Sequence, residues 1–212
     1  LELLELRPVF TAHPTESSRQ SVLRVLRRVG EALDRGADDD EVAGLVDLLW
    51  QTDEIRPGKP TVADEASAIG WYLEQLARNT VPQLVGEFER EARAVGFTVP
   101  EDARPLVLGS WVGGDRDGNP FVTPDVTRAV VALNADRALR IHLQSVEQLI
   151  DELSISTRVV GLSEELRRSL ARDRRVLPEV HDRYIRLNSN EPYRLKLSYV
   201  RARLEGTRRR IR

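Results

Sequence analysis

Two polar loops carry the residue types from which chemistry can be built. The first is Thr11-Ala12-His13-Pro14-Thr15-Glu16. His13 stands among small and turn-forming residues. Pro14 fixes the backbone after it and pushes His13 itself toward an extended conformation. A helix starting near Ser17 turns its free N–H groups and positive dipole end toward this loop. Arg19, in the first turn of that helix, opposes the dipole's preference for acidic residues, which points to another task for it. Together these features suit an anion held beside a histidine. The competing reading is a histidine that caps its own loop or lies in the core.

The second loop is Gly109-Ser110-Trp111-Val112-Gly113-Gly114-Asp115-Arg116-Asp117-Gly118-Asn119-Pro120. Its glycines permit positive φ and let backbone approach a ligand closely. Arg116 offers a two-pronged donor for a carboxylate or phosphate. Asp115 and Asp117 can hold that arginine or hold a metal. A calcium loop of the EF-hand kind starting at Asp115 needs Glu at its twelfth position, where Val126 stands, and its glycine falls too early. An Asp-x-Asp phosphatase wants an apolar strand running straight into the first Asp, and Gly113-Gly114 intervenes. A nucleotide P-loop needs Gly-Lys-Ser/Thr, which is absent. Two readings remain. In one, the carboxylates position the guanidinium for a ligand. In the other, the stretch is a salt-bridged turn with an Asn-Pro stop.

The remaining candidates are weaker. Gln51-Thr52-Asp53-Glu54-Ile55-Arg56 puts acids and bases at a helix end beside a loop, and by itself reads as a solvated terminus. Glu191-Pro192-Tyr193-Arg194 is a helix start, and the charges of Arg201, Arg203 and Arg208 to Arg210 read as an exposed face. No pair of histidines has ligand spacing. His142 and His181 stand alone on predicted helices and read as structural.

The elements that must position these loops are mostly helical. Val22, Val25, Leu26, Val29 and Leu33 make one apolar face over Ser17 to Leu33, with Ser17 and Gln20 as a capping box and Gly36 as a stop. A second helix is predicted from about Asp40 to Ile55, with Val42, Leu45, Val46, Leu49 and Trp50 inward, then a loop over Arg56-Pro57-Gly58-Lys59-Pro60. A long helix follows from Asp64 to Val95, interrupted by Pro82 and ended by Gly96. Thr123-Pro124 is a strong start for a helix to about Leu153. Shorter helices are predicted over Ser163–Asp173, Pro178–Arg186 and Glu191–Arg209. Two runs, Pro8–Ala12 and Pro105–Gly109, read instead as short buried strands. Each leads into one of the polar loops and then a helix, which is the repeating unit of a parallel sheet or barrel. In such folds the loops at the strand C-termini carry the chemistry.

Composition narrows the class. Of 212 residues, 41% are apolar, enough for a sizeable core, and 32 basic against 34 acidic residues leave a formal charge of −2. That balance argues against a general nucleic-acid binder. The chain has no cysteine, which rules out a disulfide framework and thiolate metal sites and fits a cytoplasmic protein. No run approaches the ~18 consecutive apolar residues of a membrane span. The opening Leu1-Glu2-Leu3-Leu4-Glu5-Leu6 reads as the end of a helix already under way, and Arg208-Arg209-Arg210-Ile211-Arg212 closes without a stop signal. The expectation is a piece of a longer chain, organised as a single region over 1–212.

Both polar loops, and in the same order the stretches 51–56 and 191–194, resemble segments of phosphoenolpyruvate carboxylases. Val112 stands where the family commonly has methionine. The resemblance implies a mostly α chain with two short parallel strands, an incomplete N-terminal part of a helix-rich (β/α)8 barrel. It implies a cytoplasmic homotetramer that uses Mg²⁺ or Mn²⁺ to join phosphoenolpyruvate and bicarbonate into oxaloacetate and phosphate, with no nucleic acid or membrane partner. His13 matches the catalytic histidine, acting as base toward carboxyphosphate, a role suited to a pKa near working pH. Arg116, Asp115 and Asp117 are implied to face substrate or support that strand end. Arg19, and with it Arg56, falls where some members bind a sugar-phosphate effector. The metal carboxylates, a catalytic lysine and a mobile Gly-Arg-Gly-Gly loop are implied to lie beyond Arg212, so the chain alone is expected to be inactive. Two other readings stand beside this one: a non-catalytic helical interaction module, and a different phosphate-handling enzyme that uses His13 as phosphoryl acceptor and would leave a phosphohistidine.

Overall fold

The computed structural model of the protein describes residues 5–11, 20–53 and 60–212. It is mostly helical with one two-stranded parallel sheet, as the sequence indicates. The strands are β1 (Val9–Phe10) and β2 (Gly109–Ser110). The helices are α1 (Gln20–Asp34), α2 (Asp39–Trp50), α3 (Val62–Gln75), α4 (Val81–Ala94), α5 (Pro124–Glu152), α6 (Glu164–Val176), α7 (Pro178–Asn188) and α8 (Pro192–Ile211). The chain forms two compact units, Leu1–Val130 and Val131–Arg212, with α5 running through the boundary.

In the first unit α1 packs on α2. The apolar stripe of α1 buries Val22, Val25 and Ala32, while Leu26 and Leu33 are exposed. The buried face is thus shifted by part of a turn from the expected one, toward the side that carries Val25 and Ala32. Gly36, at φ 67°, ends α1. Its N–H donates to Leu33 O and the Ala37 N–H to Ala32 O, the paired bonds of a left-handed helix stop. Gly96, at φ 85°, ends α4 in the same way. Helix α2 stops at Trp50 rather than at Ile55, where the Gln51 N–H folds back onto Asp47 and Leu49 carbonyls. Only Leu45 of its expected inward set is fully buried; Val46 is exposed and Trp50 is 89% exposed. Among the described residues α1 is the main neighbour of α2, and Val46 and Trp50 stay outside that contact face.

The predicted break at Pro82 takes a particular form. Helices α3 and α4 are joined through one π-helical turn, Leu76–Thr80. Proline cannot donate at position 82 and its ring crowds the carbonyl four residues back. The chain responds one residue earlier: the Val81 N–H reaches Leu76 O, five residues back. Helix α3 itself opens with a capping box, Thr61 Oγ1 accepting from the Asp64 N–H while Asp64 accepts from the Thr61 N–H.

The two strands pair as predicted, but they are shorter and less buried than expected: Val9 is 47% exposed. A two-stranded sheet leaves an uncovered edge and face, so apolar strand residues are only partly shielded. The pairing is parallel, Val9 with Gly109 and Phe10 with Ser110, and a bridge joins Leu6 to Leu106. Leu6 is therefore extended sheet, not the end of a helix; Leu1 to Leu4 lie outside the described residues.

In the second unit α6, α7 and α8 pack on one another around Val180, Leu195 and Tyr199, the last with no exposed surface. His181 is structural, as its isolation suggests: Nδ1 lies 2.9 Å from the Tyr199 hydroxyl. The basic residues of α8 are not simply an exposed face. Arg203 and Lys196 both bind Asp173 of α6, a carboxylate only 3% exposed, with Lys196 Nζ at 2.7 Å. Burial alone would raise the Asp173 pKa; the two cationic donors outweigh it and hold the group below its ordinary value. Arg208 and Arg212 converge on Asp136 of α5. The Arg208 hydrogen bond, countered in part by burial and reinforced by Arg212, lowers the Asp136 pKa to about 2.

Candidate active site

Parallel pairing decides which loops meet. The Gly109 N–H donates to Pro8 O at 3.0 Å and the Trp111 N–H to Phe10 O at 3.3 Å, so both strands run the same way in register. The chain therefore leaves both strands at the same end of the sheet. From β2 it enters the Trp111–Asn119 loop; from β1 it continues through Thr11 toward His13. His13, Arg19 and Arg56 lie outside the described residues, as do the Ser17 cap and most of the 56–60 loop.

The loop after β2 is built from its own backbone. Trp111 O accepts from both Gly114 N–H (2.9 Å) and Asp115 N–H (3.0 Å). Ser110 Oγ accepts from the Val112 N–H at 3.2 Å. Asn119 Oδ1 accepts from the Phe121 N–H at 3.0 Å, and Asn119 O from the Val122 N–H at 3.2 Å. Thr123 Oγ1 then accepts from the Val126 N–H and starts α5, with Pro124 as its first residue. The loop approaches α5 closely at Gly113. Gly113 sits at φ 77°, and a Cβ placed there would meet a Val130 methyl at 2.6 Å. Both the backbone conformation and the close approach demand glycine.

The predicted Asp-Arg-Asp cluster is present as a turn, not as an ion-paired set. Asp115 Oδ1 accepts from the Asp117 N–H at 3.0 Å, so that carboxylate organises the loop's own backbone. Among the described residues neither Asp115 nor Asp117 makes an ion pair with Arg116, and all three side chains are exposed. A short aspartate bonds the nearby main chain more readily than it reaches past it to a neighbouring guanidinium. Arg116 is left with its donors directed to solvent, where a carboxylate or phosphate can take them in two-pronged fashion.

The loop encloses one side of an open depression of about 460 Å³ lined by Ser110, Trp111, Gly114 and Asp115. Ser110 and Trp111 were not among the residues singled out from the sequence. Their signal was positional: they are the last residue of a strand and the first after it, where parallel folds expose side chains to ligands. Trp111, 61% exposed, presents a flat apolar surface beside the polar loop. No group of three or more His, Asp or Glu able to hold a metal occurs among the described residues.

Parallel strands that open at a common end into polar loops, each followed by a helix, are the arrangement of the strand–loop–helix class of folds. Within that class the chain belongs to the phosphoenolpyruvate carboxylase family, whose family model matches residues 1–212. It is 40% identical over 213 residues to the phosphoenolpyruvate carboxylase of Roseiflexus castenholzii (strain DSM 13941 / HLO8), covering 95% of this chain and 23% of the relative. The phosphoenolpyruvate carboxylase of Parasynechococcus marenigrum (strain WH8102) is 38% identical over 226 residues, covering 99% of this chain and 22% of the relative. That of Synechocystis sp. (strain ATCC 27184 / PCC 6803 / Kazusa) is 38% identical over 233 residues, with the same coverage of 99% and 22%. The chain therefore spans between a fifth and a quarter of the length of these curated relatives. No helix among the described residues is long and apolar enough to cross a membrane.

Proposed function

We propose that this chain supplies one part of a phosphoenolpyruvate carboxylase active site, the part that handles carboxyphosphate and CO₂ at the ends of two neighbouring strands. The observation that supports this reading is the in-register parallel pairing of β1 and β2: the chain leaves both strands at the same end of the sheet, β2 into the Trp111–Asn119 loop and β1 toward the stretch of sequence that holds His13. The wider frame is a helix-rich (β/α)8 barrel of which 1–212 is one N-terminal region, in a cytoplasmic homotetramer.

In the reaction, a bicarbonate oxygen attacks the phosphorus of phosphoenolpyruvate. The bridging P–O bond breaks, leaving carboxyphosphate and the pyruvate enolate. His13 takes the carboxyl proton of carboxyphosphate, whose C–O bond then breaks to release CO₂ and phosphate. The enolate carbon attacks CO₂ to give oxaloacetate. A neutral imidazole is the right base for the proton step because its pKa lies near working pH. Arg116 meets a phosphoryl or carboxylate group at the mouth of the site, and Asp115 and Asp117 keep its loop in shape. Arg19 and Arg56 receive an anionic effector. The family chemistry uses Mg²⁺ or Mn²⁺. The described residues do not fit such a site, so no step here is assigned to the metal.

The test uses the complete protein with phosphoenolpyruvate, bicarbonate and Mg²⁺, following oxaloacetate and phosphate separately. His13→Asn is expected to lose oxaloacetate while still releasing phosphate and pyruvate. Loss of both products together would place His13 before the carboxylation step, and an unaffected oxaloacetate rate would remove it from the mechanism. The 212-residue chain by itself is expected to show no turnover. A phosphohistidine formed from phosphoenolpyruvate would favour the phosphoryl-acceptor reading instead.

A further inference from the structure

In the second unit, α7 and α8 enclose a groove of about 690 Å³ that plays no part in the chemistry above. Its volume falls within the range of small-molecule sites. The floor is apolar, formed by Leu177, Val180 and Ala202. The walls carry Arg183, Arg201, Arg209 and Arg210, with Glu179 and Glu205 the acidic residues among them.

The arginines are held in different ways, and the difference is informative. The guanidinium carbons of Arg183 and Arg201 each lie 5.2 Å from the centre of the Tyr184 ring. Arg201 also donates to the Tyr184 hydroxyl and approaches Glu205 at 3.9 Å. These contacts restrain two planar cations with most of their donors unspent. Arg210 donates to Thr207 Oγ1 at 3.2 Å, a neutral partner. Among the described residues Arg183, Arg209 and Arg210 have no carboxylate partner, although in the same unit Asp136 draws three arginines and Asp173 a lysine and an arginine. Glu179 and Glu205 offset part of the repulsion among these cations, and an external anion would offset more of it. An apolar floor strengthens the attraction by excluding water from one side.

We propose that the α7–α8 groove binds a small multivalent anion of the di- or polyphosphate class through arginines that line it, Arg183, Arg201, Arg209 and Arg210. Guanidinium pairs match phosphate oxygens bidentately, and several non-adjacent arginines call for more than one phosphate. This inference does not depend on the carboxylase reading, since the groove shares no residue with the loop at the strand ends.

Calorimetric titration of the intact protein with inorganic pyrophosphate, at ionic strength fixed with chloride, tests it. Wild type is expected to bind, and Arg209→Ala/Arg210→Ala to bind about tenfold or more weakly, since each lost charge-assisted contact is worth roughly that factor. Arg183→Ala, on α7, should weaken binding in the same direction, which guards against an effect confined to the end of α8. Arg128→Ala, an exposed arginine of α5 paired with Asp125, should bind as wild type does. Equal affinity in wild type and Arg209→Ala/Arg210→Ala, or no binding by wild type, would overturn the proposal. Equal loss in Arg128→Ala would reduce it to general charge attraction and overturn it as well.

Discussion

Asp136 and Arg208 sit 72 positions apart in the chain, and Arg208 Nε donates to Asp136 Oδ1 at 2.8 Å. Arg212 donates to the same oxygen at 2.9 Å, one helical turn further on. Through these bonds, and a longer one from Arg208 to the other carboxylate oxygen, the C-terminal end of α8 is fastened to α5 by a single carboxylate.

That carboxylate gives a pH signature. Its folded pKa is depressed to about 2 from an ordinary 3.8. A depressed acid stabilises the fold above its unfolded pKa, and the contribution is lost as pH falls through the folded value. Asp136 should therefore contribute fully at neutral pH and lose its effect between about pH 4 and pH 2. After allowance for solvent screening the contribution is about 1–2 kcal/mol. Denaturant melts of wild type and Asp136→Asn at pH 7 and at pH 2.5 check it: the gap between them should narrow at the lower pH.

Asp173 is the stronger test of burial. Removing its charge leaves Lys196 and Arg203 without their shared partner. Both cations keep some solvent contact, so Asp173→Ala should cost about 2–3 kcal/mol, below the range for a fully buried broken pair. Lys196→Met, which keeps the apolar stem and leaves Arg203 on Asp173, should cost less than half as much. The reverse ranking in urea unfolding would show that Lys196 carries the interaction.

Gly113 separates backbone strain from crowding. Gly113→Ala combines a positive φ with a methyl 2.6 Å from Val130, and about 2–4 kcal/mol of destabilisation is expected. Adding Val130→Ala removes the crowding but not the strain. The double variant should therefore lose less than the sum of the two single variants, with thermal unfolding as the readout.

Arg116 is predicted to matter for ligand binding and not for folding, since among the described residues it makes no ion pair. In the complete protein Arg116→Ala should raise KM for phosphoenolpyruvate about tenfold, with a smaller change in melting temperature than Gly113→Ala. Arg116→Lys should recover only part of the loss, because a point charge cannot reproduce the two-pronged fork.

The sequence disclosed what local chemistry determines. Thr123-Pro124 marked a helix start and Gly36 and Gly96 marked helix stops, because capping and left-handed φ depend on residues within a few positions. The parallel pairing of Val9–Phe10 with Gly109–Ser110 was also legible in outline, since the runs Pro8–Ala12 and Pro105–Gly109 both led into polar loops followed by helices. What depends on distant partners was not. Nothing near Asp173 announces Lys196 and Arg203, which lie 23 and 30 residues away. Trp50 looked apolar and inward because periodicity shows which residues share a face, not which faces find a neighbour. The Asp-Arg-Asp stretch misled in another way: the residue types fit an ion-paired cluster, but main-chain donors two residues away compete for the same carboxylate.

The π-helical turn at Leu76–Thr80 makes that segment a reservoir of chain length. Its wider winding carries five residues through roughly the rotation that four give in an α-helix, at about 100° each. Removing one residue there, together with Pro82→Ala, should leave an unbroken helix whose α3 and α4 faces still point where they did. A deletion anywhere else along α3 or α4 would swing the remaining side chains by about 100° and turn the buried Ala92 toward solvent. Changes of length are thus absorbed at one point of this helix and refused along the rest of it.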